Sequence, residues 1–137
     1  MKLEAYLNFN GNCREAMNFY AEALGGQVTF LQTFGESPMR DQMPDAFHDY
    51  VMHATMHAGD AAIMASDAPG DRYKKPQGFG VSIGLSDPDQ AKKIYDALVE
   101  GGTIEMELQA TFWAAAFAML TDKFGIPWMI NCEAKAG

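Results

Sequence analysis

The sequence is poor in cysteine, in basic residues and in long apolar runs. Its 137 residues include only Cys13 and Cys132, which form no CxxC pair, so no disulfide framework is predicted. Free thiols are typical of a reducing compartment. No apolar run approaches the roughly 20 residues that span a bilayer, and the first residues lack the apolar core of a signal peptide. We therefore expect a cytoplasmic protein without a membrane partner.

Positive charge is also scarce, because 10 basic residues stand against 18 acidic ones, for a net charge of -8. An acidic surface repels phosphate backbones, so nucleic acid is not an expected partner. Two catalytic motifs are missing as well. There is no Gly-x-Ser-x-Gly elbow for nucleophilic hydrolysis and no glycine-rich strand-to-helix turn for a nucleotide-like cofactor.

What the chain does contain is one pattern that occurs twice. In the first half, apolar residues alternate from Leu3 to Phe9, which predicts a strand with one buried face. A helix follows, with Asn12 as its N-cap, Glu15 completing a capping box and a glycine pair ending it. Strands are predicted at 27–34, 50–57 and 61–66, and the polar loop at 35–49 is long enough to be a lid or a binding loop.

The second half repeats this order of elements. A strand is predicted at 79–85, and a helix follows Asp87 as N-cap with Pro88 at its first position. Further strands are predicted at 103–109, 117–121 and 126–132. The sequence thus predicts an α+β fold in a single domain of two βαβββ modules, at 1–67 and 78–133, joined by a linker at 68–77. Each module should form an open, mixed, cup-like sheet with a helix on one face.

Five segments match a known pattern, at 6–16, 34–36, 64–67, 111–114 and 121–131. They include Thr121-Asp-Lys-Phe-Gly-x-Pro-Trp-Met-Ile-Asn131. They resemble the PhnB-like family, which carries the domain label 3-demethylubiquinone-9 3-methyltransferase. That family lies in the vicinal oxygen chelate superfamily with glyoxalase I, bleomycin-resistance proteins and extradiol dioxygenases. The resemblance covers nearly the whole chain and implies the paired-module fold and a homodimer.

The resemblance also implies where a metal ion would be held in the superfamily's metal enzymes. One ligand, His, Gln or Glu, lies on the first strand and one on the last strand of each module. Here those positions fall on Ala5, on Met64 or Ala65, on Val81 or Gly80, and on Met129. None of these side chains is a good ligand for a hard or borderline cation. We therefore expect no metal and no cofactor.

Two histidines are candidates for chemistry. On a strand, His53 and His57 would lie ~13 Å apart, too far to share an ion. On a helix they would share a face with Asp49 and could chelate one, but the β-branched, alternating pattern favours a strand. His53 matches a histidine of the resembled family and is the candidate general base. The alternative is a half-buried structural histidine.

The function that these observations favour is binding of an apolar or aromatic small molecule. Flexible methionines can line an adaptable cavity, and Trp113, Trp128 and Phe112 could stack on a ring. Candidate ligand-binding residues are Tyr6, Met64, Asp67, Trp113, Met129 and Asn131. Two alternatives stay open. One is an enzyme of the lyase, isomerase or dioxygenase type with a site rebuilt around His53, and the other is a purely structural dimer module.

Overall fold

A computed structural model describes residues 1–133 and divides the chain after Lys74 into two compact units. The α+β fold predicted from the sequence is confirmed: the described residues contain two α-helices and eight strands in two four-stranded mixed sheets. Among these residues no helix is long and apolar enough to span a membrane.

The first unit is a sheet with one helix on one face. Its elements are β1 (Ala5–Phe9), α1 (Cys13–Leu24), β2 (Gln27–Thr33), β3 (Val51–Ala58) and β4 (Ala61–Asp67). The strand order is β1-β4-β3-β2, with β1 parallel to β4 and the other pairs antiparallel. Alternate strand residues are buried, and Phe9 contacts Tyr20 of α1 at a ring distance of 6.4 Å. The buried side of the sheet is therefore the side that packs on α1.

The second unit repeats this topology. Its elements are β5 (Val81–Leu85), α2 (Pro88–Leu98), β6 (Thr103–Gln109), β7 (Ala116–Thr121) and β8 (Pro127–Cys132). The strand order is β5-β8-β7-β6, with β5 parallel to β8. Trp128, Ile130 and Leu120 are 1% exposed or less and form the core with the buried stripe of α2. As predicted, the Asp87 side chain accepts a hydrogen bond from the Asp89 N–H at the start of α2.

The start of α1 differs from the predicted capping box. The Asn12 side chain makes no capping hydrogen bond. Instead the N–H groups of Gly11 and Cys13 donate to Oδ1 of Asp67, at 2.8 and 3.0 Å. The Asp67 carboxylate, at the end of β4, thus supplies a charged acceptor for the first N–H groups of the helix. The local capping pattern could not reveal this acceptor, because it lies more than 50 residues away in the sequence.

The loop at 35–49 is more regular than its polar composition suggested. It contains two short 3-10 turns, Arg40–Gln42 and Asp45–Phe47. Ser37 is buried, and its hydroxyl donates to the carbonyl of Phe34 while accepting from the N–H of Met39. Local hydrogen bonds of this kind satisfy the loop's own polar backbone.

Candidate ligand-binding faces

Each sheet has one face that its helix does not cover, here called the helix-free face. In the first sheet this face carries side chains that alternate with the buried core positions. One row of paired residues crosses all four strands: Tyr6, Met64, Thr55 and Phe30. Tyr6 and Phe30 are 46% and 49% exposed, so a flexible thioether and a hydroxyl lie between two accessible rings.

His53 lies diagonally beside this row and links two of its hydroxyl groups. The Tyr6 hydroxyl is 3.2 Å from Nδ1 of His53, and Nε2 is 3.1 Å from Oγ1 of Thr55. In one tautomer Tyr6 donates to Nδ1 and Nε2–H donates to Thr55; in the other, both directions reverse. The Phe30 ring packs on the imidazole at 5.9 Å. The chain Tyr6–His53–Thr55 therefore has a hydrogen bond at each ring nitrogen.

Asp67 does not join Tyr6 and Met64 on this face. It is 3% exposed and lies on the α1 side of the sheet. Besides the two donors at the start of α1, its Oδ2 accepts from the N–H of Val51 at 2.9 Å. Burial, together with the Asp67 charge, raises the pKa of the neighbouring Cys13 thiol to about 12. The contacts of Asp67 are with the protein's own backbone.

The helix-free face of the second sheet carries three methionines and one aromatic ring among small and polar side chains. Two rows of paired residues cross it. The first row is Gly84, Asn131, Phe117 and Gln109, and the second is Ser82, Met129, Met119 and Met106. Three methionines in a row form a floor that can adapt its shape. Met129 and Asn131 share this face, as the sequence predicted.

Aromatic rings stand at one end of this face. The turn at 111–114 holds Trp113 against Phe117, with ring centroids 5.3 Å apart in an edge-to-face arrangement. Trp113 is 49% exposed, so part of its ring remains accessible. Trp128 differs from the sequence expectation. It is buried, and its Nε1–H donates to Oδ2 of Asp122 at 2.8 Å, so it is a core residue that cannot stack on a ligand.

An open cavity of about 700 Å³ lies near the β7–β8 turn, and its lining is mostly glycine and polar or charged residues. Its lining includes Lys75, Phe79, Gly102, Thr103, Thr121 and Pro127. Thr103, Thr121 and Pro127 form the next row of paired residues along the same face. The volume lies within the range of small-molecule sites in proteins.

On two strands, the residue on the helix-free face lies one position after the metal-ligand position that the resemblance implies. Ala5 pairs with the buried Ile63, so Tyr6 takes the helix-free position on β1. Likewise Val81 pairs with the buried Trp128, and Ser82 takes its place on β5. The alternation in the sequence located these two strands. It did not show which of two adjacent residues on each strand faces the helix.

The resulting donor set does not fit a divalent metal ion. The helix-free positions on the first and last strands are Tyr6, Met64, Ser82 and Met129, which offer two neutral hydroxyls and two thioethers. Hard and borderline cations take carboxylate, imidazole or thiolate ligands. Within residues 1–133, no group of three or more His, Cys, Asp or Glu side chains is arranged to hold a metal.

Several residues of these faces were not candidates in the sequence prediction, among them Thr55 and Phe117. Thr55 lies two residues after His53 on the same strand face, and the period of two could have indicated it. Phe117 meets Trp113 because of the intervening turn, and no spacing rule would have found that contact.

Comparisons with known proteins agree with this architecture. A family model described as the Glyoxalase/Bleomycin resistance protein/Dioxygenase superfamily matches residues 2–130. Protein YjdN of Escherichia coli (strain K12) is 36% identical over 142 residues, which cover 96% of this chain and 95% of YjdN.

Two solved structures share the fold. Protein PA1353 from Pseudomonas aeruginosa is 41% identical with a TM-score of 0.86, over 97% of this chain and 98% of that one. The PhnB protein from Bacillus cereus is 21% identical with a TM-score of 0.79, over 96% and 99%. The family match spans nearly all of the sequence, and the chain belongs to the Glyoxalase/Bleomycin resistance protein/Dioxygenase superfamily.

Proposed function

We propose that this protein binds an apolar or aromatic small molecule on its helix-free faces without a metal ion. The observation that carries the proposal is the chemistry of these faces. Large apolar rings that would normally be buried are about half exposed there, at Tyr6, Phe30 and Trp113. Accessible apolar rings on the surface of a protein are typical of interaction sites.

The methionine row supports the same function. Met129, Met119 and Met106 lie side by side across three strands, and all three are half-buried. Unbranched thioether side chains repack around differently shaped apolar ligands at low cost.

The donor set supports the metal-free part of the proposal. A ligand held without a metal must be recognised by shape, stacking and hydrogen bonds, and these faces offer all three. Native mass spectrometry together with elemental analysis tests this on protein purified without chelator. We expect a non-covalent small-molecule adduct and no stoichiometric metal. A stoichiometric divalent metal ion in active, folded protein would contradict the proposal.

A second candidate is an enzyme of the lyase, isomerase or dioxygenase type that uses His53. The favouring observation is the hydrogen-bonded chain Tyr6–His53–Thr55. Because both imidazole nitrogens already have hydroxyl partners, the accessible end of this chain is the phenol of Tyr6. His53 would then take the proton that a substrate-contacting Tyr6 hydroxyl gives up.

The two candidates are separated by a His53→Ala variant. A binding protein should keep its ligand affinity within a few-fold, whereas an enzyme of this kind should lose turnover by a factor of ~100 or more. Tyr73→Phe, at a tyrosine outside both faces, serves as the control. An activity that is equal in His53→Ala and parent protein would remove the enzyme candidate.

We also infer a cytoplasmic homodimer. Phe112 and Leu3 are each 96% exposed in the single chain, which favours their burial against a second copy. The two buried free thiols are consistent with a reducing compartment. Sedimentation equilibrium tests the oligomeric state, with Phe112→Ser expected to weaken dimerisation. A monomeric parent protein at micromolar concentration would contradict the dimer.

A further inference from the structure

The open cavity near the β7–β8 turn lies wholly within the second unit. Its lining comes from the segment before β5, from β6 and the turn before it, and from the β7–β8 turn with its flanking residues. All of these residues belong to the unit that begins at Lys75. At Thr103, Thr121 and Pro127 the lining continues the helix-free face, in the row of paired residues next to the three methionines. The face therefore passes from an apolar floor to a polar end.

Two glycines let the turn between α2 and β6 pack closely against the β7–β8 turn. A Cβ atom on Gly102 would collide with the carbonyl oxygen of Thr121 and would lie 3.0 Å from Cα of Asp122. A Cβ atom on Gly101 would lie 3.3 Å from Cβ of Lys123. Because the collision at Gly102 is with backbone atoms, which cannot turn aside, this wall of the cavity depends on glycine for its shape.

Two lysine side chains bring positive charge to the lining. Lys75 is exposed, and among the described residues no ion pair engages it. The stem of Lys123 lies against the backbone at Gly101, and its Nζ lies 5.4 Å from the centroid of the Phe124 ring. Packing of the stem and the cation–π contact limit the positions that this ammonium group adopts. Two ammonium groups at one cavity favour an anionic group as its occupant.

The two carboxylates of the lining already have hydrogen-bond donors within the protein. Asp122 is 3% exposed, and its oxygens accept from two backbone N–H groups and from the indole of Trp128, at 2.8–3.0 Å. Oε1 of Glu105 accepts from the hydroxyl of Thr121 at 3.0 Å. The carboxylate of Asp122 thus serves the protein interior, whereas the two lysines are at the surface. Glu105 is the exposed charge of the lining that opposes an anion.

We propose that this cavity is a subsite for the head group of an aromatic carboxylate, held by the ammonium groups of Lys75 and Lys123. The aromatic body lies against the ring of Phe79, which is 48% exposed in the same lining, and the adjoining methionine row. The inference rests on the proposed function and narrows it to one ligand class. A neutral molecule of the same shape makes the apolar contacts but lacks the charge-assisted hydrogen bonds.

A matched pair of probes tests the subsite. 2-Naphthoate and 2-naphthamide have nearly the same shape, but only 2-naphthoate is charged at pH 7. We expect the parent protein to bind 2-naphthoate roughly 5- to 10-fold more tightly at low salt, the factor expected for two exposed ion pairs. In about 1 M salt this preference should approach 1. Binding is measured by ¹H–¹⁵N titration, in which the N–H resonances of Gly101 and Gly125 should move and that of Gly59, in the β3–β4 turn, should not.

Charge-changing variants assign the preference to the lining residues. Lys75→Met and Lys123→Met keep the apolar stem, and each should lower the preference about 3-fold, while the double variant should lower it to about 1 with 2-naphthamide binding retained. Lys93→Met, at an exposed position of α2 outside the lining, changes the net charge equally and should keep the parent preference. Glu105→Gln keeps an acceptor for Thr121 but removes the opposing charge, so 2-naphthoate should bind about 2- to 3-fold more tightly.

The outcomes distinguish this inference from the proposed function beneath it. A parent protein that binds 2-naphthoate no more tightly than 2-naphthamide, or a preference that survives in the double variant, would overturn the subsite and leave the general binding function standing. Circular dichroism checks that each variant is folded. The salt dependence needs no variant, and a preference that salt does not change would also overturn the subsite. If neither 2-naphthamide nor the neutral dye N-phenyl-1-naphthylamine binds, both proposals are overturned.

Discussion

The hydroxyl of Tyr6 lies 3.2 Å from Nδ1 of His53, although 47 residues separate them in the sequence. The parallel pairing of β1 with β4 and the antiparallel pairing of β4 with β3 bring them together. The contact joins two candidate residues into one hydrogen-bonded unit, in which Tyr6 is 46% exposed and His53 is half-buried.

Removing the Tyr6 hydroxyl should change the tautomeric balance of His53. In Tyr6→Phe, Nδ1 loses its partner while Nε2 keeps Thr55, so the ¹⁵N resonance of Nδ1 should shift more than that of Nε2. The free energy of unfolding should fall by only ~0.5–1 kcal/mol, because the contact is partly exposed. Long-range ¹H–¹⁵N correlation spectra and urea unfolding measure the two effects. Unchanged His53 resonances would show that the hydrogen bond does not form in solution, and Tyr73→Phe is the matched control.

Removing the Asp67 carboxylate should destabilise the first unit strongly. Asp67→Ala leaves the N–H groups of Gly11, Cys13 and Val51 without their acceptor, two of them at the start of α1. Each buried unpaired donor costs ~1–3 kcal/mol, so a loss of about 3 kcal/mol or more is expected in urea unfolding. Asp60→Ala, in the exposed turn between β3 and β4, should cost less than ~0.5 kcal/mol. A loss below ~1 kcal/mol in Asp67→Ala would contradict the capping role.

The Cys13 thiol should make the protein sensitive to alkali. Its pKa is raised from 9.0 to about 12 in the folded state, first by burial and then by the Asp67 charge. Below pH 9 both states hold the proton, so this group adds no pH dependence. Between pH 9 and 12 the unfolded state releases the proton and the folded state retains it. The free energy of unfolding therefore falls by ~1.4 kcal/mol per pH unit through this group.

Comparison of Cys13→Ala with the parent protein isolates that contribution. Unfolding free energies measured from pH 8 to 11 should fall less steeply in Cys13→Ala than in the parent protein. Parallel curves for the two proteins would show that Cys13 does not titrate as described. In native protein at pH 8, Cys13 should also fail to react with Ellman's reagent.

Replacing Asn131, whose amide oxygen has no hydrogen-bond partner among residues 1–133, should stabilise the protein, whereas most mutations destabilise it. In the ligand-free protein, Asn131→Leu should raise the free energy of unfolding by ~1 kcal/mol, because it removes a buried unsatisfied oxygen and adds apolar surface. Thermal unfolding without added ligand measures this. A loss of more than ~1 kcal/mol would mean that the amide has a partner within the protein.

Local patterns predicted the elements of this fold well but not the side of each strand. Alternation identified β1 and β5, yet the metal-ligand positions were assigned to Ala5 and to Val81 or Gly80, and both Ala5 and Val81 face the helix side. A period of two fixes which residues share a face, while the choice between the two faces depends on where the helix packs. Neighbouring side chains of mixed character, such as Ala5 and Tyr6, leave that choice undecided.

Long-range contacts account for the features that local sequence patterns did not predict. Asn12 and Glu15 have the spacing of a capping box, but the acceptor that caps α1 comes from Asp67, and no local rule connects them. Trp128 was predicted to stack on a ligand, but its indole N–H donates to Asp122 and the ring is buried in the core. The orphaned oxygen of Asn131 is a property of packing, since its neighbours Gly84 and Phe117 come from different strands.

Fluorescence titration with N-phenyl-1-naphthylamine after exhaustive EDTA treatment tests whether the protein binds apolar or aromatic molecules without a metal ion. We expect saturable binding of the dye to the metal-depleted protein, competed by small aromatic molecules and unchanged by added Zn²⁺ or Mn²⁺. Absence of saturable binding after EDTA treatment, with recovery when a divalent ion is returned, would contradict it.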